Sequence, residues 1–177
     1  VSYSVDLHYG ANLISFYALP DDVSLANMFS SVEGIVTGVI GEGVAASPNP
    51  TLGWVGSLSE IEATNGYWVK MNDSGVLDGS GQQTDPDSIY NLHYGANLIS
   101  YPLADAANIE NTIPEEEWES IDGVIGEGVA ATYNEALGWV GSLSSLEGSK
   151  GYWFKVNEAI DFTYIAPADL SRGYFDN

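Results

Sequence analysis

The chain has 177 residues, with 25 acidic side chains against four Lys and Arg, a net charge of −21 and a pI near 4.1. Such a surface repels phosphate backbones and anionic lipid, so the expectation is no nucleic-acid partner and no membrane insertion. Its 45% hydrophobic content marks a globular chain, no apolar run approaches the ~18 residues that span a bilayer, and the absence of Cys leaves no disulfide to hold the fold.

In chain order, Asn12–Ala18 (NLISFYA) is apolar and β-favouring. Asp21 or Asp22 can then cap a helix in which Leu25, Met28, Phe29 and Val32 recur at helical spacing. Two short strands punctuated by glycine follow at Gly34–Gly41 and Gly43–Ala46. Pro48-Asn49-Pro50 makes a turn before Leu52–Leu58, and Asn65-Gly66 leads into a last strand at Tyr67–Asn72.

The chain then repeats itself. LHYGANLIS at Leu7–Ser15 returns at Leu92–Ser100, GVIGEGVAA at Gly38–Ala46 returns at Gly123–Ala131, and LGWVGSLS at Leu52–Ser59 returns at Leu137–Ser144, each 85 residues later. Gly66–Lys70 returns as Gly151–Lys155. One unit has been duplicated. The expected divisions are a first β-rich repeat at 4–81, a linker at 82–88, a second repeat at 89–164 and a C-terminal tail at 165–177. The fold class expected is mainly β with one short helix per repeat, the two homologous units related by pseudo-two-fold symmetry. The helical connection is where the copies drift: Ile109 and Ile113 replace Leu25 and Phe29, and Pro114 and Trp118 lie on an acidic segment.

Strand parity sorts the aromatics. Leu52, Trp54 and Leu58 share a face, as do Leu137, Trp139 and Leu143, so both tryptophans are expected in the core. Tyr67, Val69 and Met71 share one face of the last strand, and Trp68, Lys70 and Asn72 the other. The second copy repeats this with Trp153, Lys155 and Asn157 on the polar face. Trp68 and Trp153 either cover a sheet or stand as a flat platform, with Lys70 and Lys155 beside them as candidate ligand-binding residues for a sugar ring or a protein surface.

Of the polar residues, Glu42 and Glu127 are matched and flanked by glycines. Placed on the face of Val36 and Ile40, Glu42 is half-buried and needs a partner. Lys70–Glu42 and Lys155–Glu127 ion pairs are the expectation, against solvated lysines as the plainer reading. A Lys–Asn isopeptide using the matched Asn12 and Asn97 has no supporting spacing. The two histidines, His8 and His93, are matched as well, and without HxH or HExxH they read as structural residues at strand starts. Gly38-x-x-Gly41-x-Gly43 lacks the GK[ST] and helix of a phosphate loop. Asp73 and Asp78 lie in an oxygen-rich turn that is a weak calcium candidate, without EF-hand spacing or a match in the second copy. No catalytic nucleophile motif is present, so no cofactor, metal or enzymatic activity is expected. The alternative chemistry is a hydrolase with a raised-pKa carboxyl at Glu42 or Glu127.

The stretches Gly10–Ser15, Gly38–Ala46, Trp54–Leu58 and Gly66–Lys70, with their second copies, resemble a tandem β-rich repeat of secreted and cell-surface proteins of marine bacteria. Its members read approximately GxNLISF/LxLP…GVIGEGVAA…WVGSL…GYWVKV. The second copy departs at Tyr101-Pro102-Leu103 and around Glu115–Glu117. The resemblance implies a non-catalytic module of a larger exported protein, secreted or at the cell surface, with neighbouring modules as partners. It carries over no catalytic residue. A chain beginning at Val1, without an initiator Met, reads as a piece of a longer precursor. The acidic surface suits a salty extracellular setting. A virion or surface-layer assembly subunit is the alternative role.

Overall fold

A computed structural model describes residues 1–167, so most of the expected tail, from 168 onward, lies outside the described residues. The first unit is laid down as β1 (Ser2–Leu7), β2 (Gly10–Ile14), β3 (Ala18–Leu19), α1 (Leu25–Met28), a 3-10 turn (Ser30–Val32), β4 (Val36–Gly41), β5 (Val44–Asn49), β6 (Gly53–Gly56), β7 (Tyr67–Met71), β8 (Gly75–Ser80) and β9 (Gln82–Gln83). The second follows as β10 (Tyr90–Leu92), β11 (Gly95–Ser100), β12 (Ala107–Asn108), α2 (Ile109–Thr112), a 3-10 turn (Glu115–Ser120), β13 (Ile121–Gly126), β14 (Val129–Asn134), β15 (Gly138–Gly141), β16 (Ser145–Leu146), β17 (Gly151–Val156) and β18 (Ile160–Phe162).

Each unit is organised on a five-stranded antiparallel sheet, in the order β2-β7-β4-β5-β6 and β11-β17-β13-β14-β15. The expected mainly β fold in two homologous units is what forms. β1 pairs with β8 and β10 with β18, so the start and end of each unit close over its core. β9 pairs with β3, and the Thr84 N–H donates to the Tyr17 carbonyl. The stretch expected as linker therefore starts as part of the first unit.

Alternation buries one face of each sheet. Tyr67, Val69 and Met71 point inward from β7, as do Tyr152, Phe154 and Val156 from β17. They join two separate cores, one around Phe16, Phe29, Val39 and Leu77, the other around Tyr90, Tyr101, Ile109 and Tyr164. The second is an aromatic stack in which Tyr164 meets Phe162, Tyr90 and Tyr101 edge-on at 4.9, 5.1 and 5.4 Å between ring centroids.

The helix is shorter than expected. α1 is a single turn running into the 3-10 turn, yet Leu25, Met28, Phe29 and Val32 are all buried. Ser24 rather than an aspartate holds the cap position, and Asp22 instead accepts the Ser24 N–H to tighten the preceding turn. A second difference lies in β4. The register against β7 shifts between Val36 and Gly38, so Thr37 is an extra residue and parity reverses across it. Val36 stays in the core while Ile40 turns outward at 39% exposure. The same bulge recurs between Ile121 and Gly123.

Candidate functional site

β2 and β11 are edge strands of their sheets, and an edge strand presents unpaired N–H and C=O groups. The repeated word HYGANL builds a compact loop at the start of each. Gly10 and Gly95 take φ of +95° and +100°, open to glycine and strained for other residues. Asn12 then staples the loop: its Oδ1 accepts the His8 N–H at 2.9 Å, and its Nδ2 faces the His8, Gly10 and Val69 carbonyls. Asn97 repeats each bond with His93, Gly95 and Phe154. The matched asparagines thus serve the backbone, not an isopeptide.

The matched glutamates reach these loops from the opposite unit. Glu42 sits at the tip of the β4–β5 hairpin, in a two-residue turn completed by Gly43 at φ +73°. Its Oε1 accepts the Leu98 N–H at 2.8 Å and its Oε2 lies 2.5 Å from His93 Nε2. Glu127, at the tip of the β13–β14 hairpin, does the same to the first unit. Its Oε1 takes the Leu13 N–H at 2.7 Å and its Oε2 lies 2.6 Å from His8 Nε2. Each carboxylate therefore caps the free edge of the other unit's outer strand. The exchange is reciprocal, as a pseudo-two-fold relation requires.

The seam continues beyond the carboxylates. The Ser15 N–H donates to the Ser149 carbonyl and the Ser15 hydroxyl to the Lys150 carbonyl at 2.6 Å. On the other side the Ser100 N–H donates to Thr64, the Ser100 hydroxyl to Ala63, and the Gly66 N–H to Leu98. Gly66 and Gly151 are required for this approach, since a Cβ there would lie 2.8 Å from the Ile99 oxygen and 2.6 Å from the Ile14 oxygen. Leu13 and Leu98, each nearly fully buried, belong to neither core and approach Gly151 and Gly66 across the seam.

The electrostatics follow the geometry. His8 Nδ1 lies 2.7 Å from the Tyr9 carbonyl and His93 Nδ1 2.8 Å from that of Tyr94. These carbonyls, and then the glutamates, raise both imidazole pKa values above the ordinary range, although Lys150 works against the rise at His8. Burial pushes Glu127 up, but the His8 ring and the Leu13 N–H together outweigh it and hold the carboxyl below its usual value. A hydrolase acid would need the opposite shift, so Glu127 does not meet that expectation.

Two further corrections concern the expected partners of these acids. No Lys70–Glu42 or Lys155–Glu127 ion pair is present among the described residues. Lys70 stands on the outer sheet face, its stem over the position a Gly38 Cβ would take, and Lys155 is likewise exposed on β17. The carboxylates project from the hairpin tips, across the seam. Leu52 and Leu137 are also not core residues: at 73% and 74% exposure they lie in the β5–β6 and β14–β15 turns, where strand parity no longer applies. Trp54 is half-buried against Phe29 at 5.8 Å, and Trp139 against Tyr133 at 5.7 Å.

Trp68 and Trp153 are half-buried on the outer faces of their sheets. Register places Leu13, Trp68, Ile40 and Ala45 in one row, and Leu98, Trp153, Ile125 and Ala130 in the other. Each row runs from the buried seam to an exposed aliphatic surface that includes Val55 at 43% and Val140 at 38%. Asp73 accepts the Ser74 N–H in the β7–β8 turn, and Asp78 pairs with Ser4 in the β1–β8 ladder. Among the described residues no three His, Cys, Asp or Glu side chains are grouped to hold a metal ion. No helix among them is long and apolar enough to cross a membrane. Compared with protein-family models, curated proteins and solved structures, the chain matches none of them.

Proposed function

We propose that this chain is a non-catalytic structural and binding module of a larger exported protein, acting outside the cell or at its surface. The polar residues that recur in both copies are committed to scaffolding: His8, Glu42, Asn12 and Ser15, with their twins, close loops and join the units. That leaves the outer sheet faces as the surface with contact chemistry.

The observation carrying the binding role is the aromatic–aliphatic row on each sheet. A half-buried Trp68 beside exposed Ile40, with exposed Val55 two strands beyond Ile40 and Lys70 two residues along β7, offers a flat apolar contact with a polar rim. The second unit repeats it with Trp153, Ile125, Val140 and Lys155. Such a face suits a sugar ring or a partner protein. Glycan-array binding that disappears in Trp68→Ala combined with Trp153→Ala supports the site, and binding retained in the double variant refutes it.

A second reading is an assembly brick of a virion or surface layer. It is favoured by β6 and β15, each of which ends its sheet with one unpaired edge among the described residues. Light scattering on the purified chain separates the two, since a brick forms a stable oligomer.

A further inference from the structure

We propose that the two histidine–glutamate contacts form a proton-operated latch between the units, closed on the acid side of neutrality and loosened as the solution becomes alkaline. Both nitrogens of each ring face an acceptor. His8 lies between the Tyr9 carbonyl at 2.7 Å and Glu127 Oε2 at 2.6 Å, and His93 between the Tyr94 carbonyl at 2.8 Å and Glu42 Oε2 at 2.5 Å. A neutral imidazole has one N–H, so it can satisfy only one of these acceptors. Only the imidazolium donates to both. The ring is thus a bridge between its own unit's backbone and the other unit's carboxylate only while it holds both protons.

The pH window follows from the signs. A raised histidine pKa contributes stability that is fully present below the free value of about 6.5 and is lost as pH rises through the folded value. The lowered Glu127 contributes stability that is present above its free value and is lost as pH falls through the folded one. The His8–Glu127 half of the latch is therefore tightest between about pH 4.5 and 6.5. The charged groups acting on His8 are Glu127 and Lys150, and the one acting on His93 is Glu42. Asn65 stands in the first unit where Lys150 stands in the second, so a nearby cation opposes the rise at His8 and has no counterpart at His93. These are the only two histidines in the chain, and histidine is the side chain whose ordinary pKa lies between pH 6 and 8, so the change in stability there is read at these two rings.

The test is a nitrogen-15 NMR titration of both imidazoles in the full chain, with thermal unfolding followed over the same pH range. Expected are titration midpoints above about 6.5 for both rings and a melting temperature that falls through the histidine titration. In Glu127→Gln the amide oxygen still accepts the Leu13 N–H while its NH₂ faces His8 Nε2. This selects the neutral ring protonated at Nδ1 and drives the His8 midpoint down while His93 holds. Lys150→Gln raises His8 alone. Midpoints at or below the free value in the unaltered chain, or a melting temperature flat across the titration, overturn the latch. So does an Glu127→Gln shift no larger at His8 than at His93. If Glu127→Gln does not fold, the unaltered chain and Lys150→Gln decide the matter.

Discussion

At the scale of single residues, identity between the copies marked the side chains that matter but not what they touch. Glu42 recurs as Glu127 and Lys70 as Lys155, which is equally consistent with contacts inside a unit and contacts between units. Nothing in the spacing separates a Glu42–Lys70 pair from the Glu42–His93 pair that forms. In a duplicated chain every matched pair has this ambiguity, and only the three-dimensional path of the hairpins resolves it. Asn12 was legible as matched and not as the staple of its loop. Its amide is buried with four backbone partners, so Asn12→Ala leaves carbonyls and an N–H unanswered. A loss of about 2 kcal/mol is expected in urea unfolding. The glycines at the seam make a complementary case. Gly66→Ala and Gly151→Ala would each press a methyl against a backbone oxygen of the other unit. Each is expected to cost about 1–3 kcal/mol in the same measurement. Gly38→Ala, with an ordinary φ and its nearest atom at 3.7 Å, should cost clearly less.

At the scale of elements, periodicity read the faces well wherever the strand was regular. β7 and β17 bury the alternate residues that parity assigns, and all four apolar positions around α1 reach the core. Parity failed where an irregularity intervened. The bulge at Thr37 turns Ile40 outward, because one extra residue exchanges the two faces of a strand. Leu52 fell outside its strand altogether, in a turn closed by Asn49 Oδ1 accepting the Thr51 and Leu52 N–H groups. The bulge depends on pairing with a neighbouring strand, which local sequence does not specify, whereas the turn is held locally by the Asn49 side chain. The β4–β5 hairpin shows the consequence for the site. Strand parity puts its tip residue, Glu42, on a strand face, where it would need a partner within the unit. At the tip it projects beyond the sheet and reaches the other unit's edge. Straining that tip should release the carboxylate: Gly43→Val, at φ +73°, is expected to shift the Leu98 amide resonance and lower the melting temperature by several degrees.

At the scale of the whole molecule, the duplication covers one of the two exposed edges of each sheet. β2 and β11, each an outer strand of its five-stranded sheet, would otherwise template further pairing. The two units place these strands against each other's glutamate hairpins and the approach to each other's last sheet strand. The two apolar cores remain separate, so the hydrogen-bonded seam, with Leu13 and Leu98 packed along it, makes the pair a single body. The drift of the helical connections fits this division, since none of the residues of α1 or α2 takes part in the bonds across the seam. Hydrogen exchange at the Leu13 and Leu98 amides in Glu127→Ala measures this reciprocal capping most directly. The structure predicts that Leu13 loses its protection, Leu98 keeps most of its own, and Val69 within the first sheet is unchanged. Protection of Leu13 equal to that in the unaltered chain would contradict it.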